Sequence, residues 1–65
     1  MAENKIRGRL GAIKMSVTEF AEKMGMSRPT ARRKIDGEVD FSAKEIKRAL
    51  EILDIPATEA HIYFF

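Results

Sequence analysis

Three serines and three helix-stopping residues divide this chain into segments that fit short helices and little else. In "MSVTEF", Ser16 stands where a helix cap belongs and Glu19 follows three residues later, the Ser-x-x-Glu capping box. "FSAKEI" repeats the arrangement with Ser42 and Glu45, and in "MSRPTA" Ser27 caps a helix whose first turn carries Pro29, where a missing N–H costs little. Met15 with Phe20, and Phe41 with Ile46, are spaced to staple two of these starts. Gly25 and Gly37 suit the left-handed residue that ends a helix, and Pro56 blocks continuation of "EILDI". The punctuation predicts helices near 4–14, 17–24, 28–36 and 43–53, with a short fifth turn or helix over 58–63. The one segment with strand character is the terminal "HIYFF", which can also pair as a strand. The expected class is all-α, a compact four- to five-helix domain spanning 1–65, with a central helix–turn–helix over about 16–37.

With 65 residues there is room for one domain, and a domain of this size buries only roughly 60% of its extended-chain surface. It has no cysteine, so neither a disulfide nor a thiolate metal site supports it, which fits a reducing cytoplasm. No apolar run approaches the ~20 residues that span a bilayer, and "MAENKIRGRL" lacks the apolar core of a signal peptide. The core must come from helix faces. Helical spacing nominates Ile6, Leu10, Ile13, Phe20, Ala21, Met24, Met26, Ala31, Ile35, Phe41, Ile46, Leu50, Leu53 and part of the terminal aromatic group.

Charge is distributed unevenly. Arg28, Arg32, Arg33 and Lys34 fall within seven residues with no acid among them, yet the formal net charge is only +2, so the rest of the chain sums to −2. At ~100° per residue, Ala31 and Ile35 define the buried side of helix 28–36. Arg33 and Pro29 point the opposite way, and Thr30 and Arg32 flank them. Arg28 lies nominally near the buried direction, but it is in the first turn, where a long side chain can reach forward.

The stretch "MSVTEFAEKMGMSRPTARRKIDG" resembles the Cro/repressor-type (XRE) helix–turn–helix family. Ala21, Gly25 four residues later and the Ser27 cap sit at that family's spacing, and "FSAKEIKRALEILDIP" resembles its next helix. The resemblance covers essentially the whole chain and is strongest to short phage and prophage regulators of Gram-positive bacteria. It departs at Val17, where the family often has glutamine, at Ala31, where a large apolar residue is usual, and at Lys34, where an apolar one is common. The resemblance implies a Cro-like transcriptional repressor that places helix 28–36 in the major groove of double-stranded operator DNA. In such motifs the second helix enters N-terminus first. Arg28, Pro29, Thr30, Arg32 and Arg33 are then the expected base-contacting residues, and the family's positions matching Arg28, Pro29 and Arg33 commonly touch bases. Arginine suits guanine O6 and N7, and a proline ring suits a thymine methyl. Ser16, Thr18, Ser27, Lys34, Lys5 and Arg9 are the expected phosphate contacts, with Arg7 beside them.

Simpler roles account for much of the rest. Met15, Met24 and Met26 read as core filler. His61 is the single histidine, so neither a metal site nor a nucleophile–base pair is expected, and no cofactor or small-molecule ligand is called for. Asp36, Glu38 and Asp40 alternate around Gly37 without the remainder of a calcium loop and read as a solvated loop, whose charge would also repel phosphate and limit where DNA can lie. In "HIYFF", Ile62 and one or two rings are expected to complete the core. The remaining rings of Tyr63, Phe64 and Phe65 are candidates for a homodimer contact, formed in solution or only on DNA. No effector domain is apparent, which favours a Cro-like protein, although an excised DNA-binding domain reads the same. The alternative from another class is a protein-interaction module, an antitoxin or anti-repressor on the same fold.

Overall fold

The chain is described here by a computed structural model covering residues 4–65. Five α-helices follow in order: α1 (Lys5–Ala12), α2 (Val17–Met24), α3 (Arg28–Ile35), α4 (Ala43–Ile52) and α5 (Ala60–Phe64), the last preceded by a 3-10 turn over Ala57–Glu59. The described residues contain no strand, so the fold is all-α and "HIYFF" is helical up to its last residue. None of these helices is long and apolar enough to cross a membrane.

Side-chain caps begin the first four helices. Asn4, Ser16, Ser27 and Ser42 accept from the backbone N–H groups of Arg7, Glu19, Thr30 and Glu45 respectively. Each bond satisfies one of the amides that a helix start leaves without a partner. The reciprocal half of the capping box closes at Ser42, whose N–H donates to Glu45 Oε1 at 2.8 Å. At Ser16 only the forward half forms.

All four of these helices also end alike. The N–H groups of Met15, Met26, Glu38 and Ile55 each reach back five residues, to the carbonyls of Leu10, Ala21, Arg33 and Leu50. These are Schellman endings, in which one residue turns left-handed. Gly25 and Gly37 take that role at φ 74° and 83°, whereas at the ends of α1 and α4 it falls to Lys14 and Asp54, both at φ 55°. The left-handed Lys14 stops α1 two residues before the expected end.

α2 packs on α3 and α4, while α5 closes the other side against α1 and α4. The buried core is Ile6, Leu10, Phe20, Ala21, Met24, Ala31, Ile35, Ala49, Leu53 and Ile55. Eight of these were legible from spacing; Ala49 and Ile55 were not. Ile13, Met26, Phe41 and Leu50 pack around it half-buried. Phe41 carries the core outward, meeting Phe20 edge-on at 6.5 Å and Phe64 edge-on at 5.2 Å between ring centroids. Tyr63 and Phe64 therefore dock on the core. Ile62, expected inside, is 46% exposed, because the helical turn at 60–64 directs Tyr63 and Phe64 inward instead.

Candidate nucleic-acid interface

The Ser27 hydroxyl fixes the start of α3. It accepts from Thr30 N–H at 3.3 Å and donates to Thr30 Oγ1 at 2.9 Å. Thr30 is half-buried and occupied by this bond, so it lies at the edge of the outer face rather than on it. Pro29 occupies the first turn. Ala31 and Ile35 are 0% and 4% exposed against the core, which turns Pro29, Arg32 and Arg33 to solvent, while Arg28 is exposed as the first residue of the helix.

The four cations of this segment have different fates. Lys34 curls inward: its ammonium donates to Glu45 Oε1 at 2.7 Å and to Asp40 O at 3.3 Å, and lies 6.0 Å from the Phe41 ring centre. With its side chain 13% exposed, Lys34 is a tie between α3 and α4 rather than the outward phosphate contact expected of it. Arg32 Nε lies 3.8 Å from Asp36 Oδ2, one turn along the same helix. Among the described residues, Arg28 and Arg33 make no ion pair and no side-chain hydrogen bond. Together with Pro29, Arg32 and Glu38, these two line a surface recess of about 260 Å³.

Arg9, also expected to meet phosphate, has a different task. Its Nε donates to Leu53 O at 2.8 Å and its Nη2 to Asp54 O at 3.0 Å, so it caps the end of α4. A cation there also suits the negative end of the helix dipole. Arg7 donates from Nε and Nη2 to Asp36 Oδ1 at 3.0 and 2.7 Å, while Asn4 Nδ2 donates to Ile35 O at 3.2 Å. These bonds clamp the start of α1 to the end of α3. Ser16 and Thr18 are exposed at the start of α2, where Ser16 Oγ holds Glu19 N–H, and Lys5 is exposed on α1.

Sequence similarity adds one finding. The chain matches, over residues 4–65, a family described as protein of unknown function (DUF739). It belongs to that family. Comparison of this DUF739 chain with curated proteins and with solved structures gave no match.

One feature of the DUF739 chain went unread in its sequence. Lys44, Lys47 and Arg48 share one face of α4 at spacings of three and four and line a second recess of about 300 Å³ with Met24, Glu45 and Glu51. Arg48 is partly engaged there, its Nε donating to Lys23 O at the end of α2 at 3.1 Å. The spacing was legible, but the acids interleaved with these bases hid the group. Glu38, expected in the solvated loop around Gly37, joins the α3 recess because Gly37 turns the chain back toward Arg33.

Proposed function

We propose that this protein is a sequence-specific DNA-binding regulator of transcription, Cro-like and of phage or prophage origin, acting in the bacterial cytoplasm. α3 enters the major groove of a double-stranded operator, and binding occludes polymerase. One observation carries the reading: among the described residues Arg28, in the first turn of α3, and Arg33, on its face opposite Ala31 and Ile35, stand exposed and unpaired, although Arg7, Arg9, Lys34 and Arg48 are all engaged inside the domain. A free guanidinium offers two parallel donors to guanine O6 and N7. Pro29 between them supplies an apolar surface for a thymine methyl. Ser16, Thr18 and Lys5 are the phosphate-facing residues of this docking, and they set register rather than sequence.

One helix of eight residues reads few base pairs, so two copies related by a two-fold axis would read a palindrome with half-sites ~34 Å apart. Phe65, 87% exposed beside the docked Phe64, is the residue assigned to that contact. The protein performs no catalytic step in this reading.

A second reading has its own support. Val39 and Phe65, 47% and 87% exposed, border a recess of about 410 Å³ between the 37–41 loop and α5, a surface that suits a protein partner. Selection of random duplex DNA by the purified protein at about 0.15 M salt separates the two. A palindromic motif with guanine in each half-site supports the regulator. No enrichment over input removes it and favours the protein-binding surface.

A further inference from the structure

We infer that Glu38 keeps phosphate out of the arginine recess on α3, so that Arg28 and Arg33 remain available for base edges; the inference builds on the DNA-binding reading above. Arg28, Arg32 and Arg33 border one recess of about 260 Å³. Convergent guanidinium groups form strong paired hydrogen bonds to phosphate oxygens, and such a recess would hold the backbone of any duplex whatever its sequence. The fourth charged residue lining it is Glu38.

Glu38 is held there by its own backbone. Gly37 turns left-handed at φ 83°, and Glu38 N–H donates to Arg33 O at 2.9 Å. Among the described residues its carboxylate forms no ion pair, with the arginines of the recess or with any other cation. Asp36, two residues earlier, is spent: one oxygen takes Arg7 and the other lies near Arg32. The charge of Glu38 is therefore uncommitted at the edge of the recess it lines. A phosphodiester entering it meets a like charge. A base edge, whose acceptors carry only partial negative charge, is repelled far less. Specificity is a difference of affinities, and a repulsive element aimed at the common wrong ligand raises it as effectively as a new contact to the right one.

Glu38→Gln keeps the side chain's shape and its backbone hydrogen bond while removing the charge. Inorganic phosphate is the first probe, followed through the arginine Nε–H signals by NMR. The variant is expected to bind phosphate at the recess about tenfold more tightly than the wild type. Equal affinity overturns the inference, and this outcome does not depend on any DNA result. The second probe is duplex DNA. Glu38→Gln is expected to tighten random duplex about tenfold and steepen its salt slope by about 0.9, while the selected operator gains much less. Equal gains on both duplexes, or loss of operator binding, overturn it, because they would make Glu38 a uniform repellent or a base contact. A wild type that binds no duplex at all removes the DNA-binding reading, and the phosphate comparison still decides what Glu38 does to the recess.

Discussion

Lys34 Nζ lies 2.7 Å from Glu45 Oε1, and this contact joins the end of α3 to the start of α4. The same carboxylate oxygen accepts from Ser42 N–H at 2.8 Å, completing the capping box of α4. One acid thus serves as helix cap and as counter-ion for a lysine whose ammonium lies over the Phe41 ring, 6.0 Å from its centre. The arrangement explains why Lys34 is tolerated on the inner side of α3: burying an ammonium is costly unless it is paired and hydrogen-bonded.

The contact makes stability depend on acid. The Lys34 hydrogen bond, then the Ser42 N–H, hold the Glu45 carboxyl below its ordinary value of 4.5. A carboxyl with a lowered folded pKa contributes stability that is fully present above its unfolded value and is lost as pH falls through the folded one. Replacing Lys34 with Met is expected to raise the Glu45 titration midpoint and to shrink the stability difference between about pH 7 and pH 3. Side-chain NMR titration with urea melts at both pH values measures it. An unmoved Glu45 midpoint would remove Lys34 as the cause.

Arg9 separates structural from DNA-facing charge. Its two bonds to the Leu53 and Asp54 carbonyls predict that Arg9→Ala destabilises the fold by about 1–2 kcal/mol. The same change is expected to leave the salt dependence of duplex binding untouched. A urea midpoint that stays put while the salt slope falls by about 0.9 would return Arg9 to the phosphate contacts.

The two non-glycine helix endings offer a test of backbone strain. Lys14 sits at φ 55°, where an L side chain crowds its own carbonyl, so Lys14→Gly is expected to stabilise by about 0.5–1 kcal/mol. Gly37 at φ 83° is the converse: a Cβ there would touch nothing within 4 Å, so the cost of Gly37→Ala, about 1 kcal/mol, is purely conformational. Melts that move in the same direction for both variants would contradict this account.

These positions also mark how far the sequence could be read. Serine caps and glycine stops are local chemistry, so α2, α3 and α4 were legible to within a residue or two. Lys14 and Asp54 do glycine's work without its signature, and so the end of α1 was overrun. The outward direction of Pro29 and Arg33 followed from Ala31 and Ile35 alone, whereas that of Arg28 depended on its place in the first turn. The fates of Lys34 and Arg9 did not, because the residues that bind them lie 11 and 44 positions away and meet them only through packing of α4 on its neighbours. Ile62 was misassigned for a similar reason: which rings of the last helix turn inward is decided by where Phe41 presents an edge to Phe64.

Arg33 carries the most direct test of the proposed docking. It is exposed and makes no bond within the described chain, so removing it is not expected to alter the melt. On the proposed docking, Arg33→Ala costs about 1–3 kcal/mol on the selected operator and relaxes the preference at one base pair per half-site. Arg33→Lys sharpens the test. It keeps the positive charge, so affinity for random duplex and the salt slope should hold, but an ammonium cannot make the paired, planar contact of a guanidinium. The lysine variant is therefore expected to lose preference at that base pair without losing general affinity. Selected motifs that are the same for wild type, Arg33→Ala and Arg33→Lys would mean that α3 does not meet base edges at this residue, and the orientation of the helix in the groove would have to be abandoned.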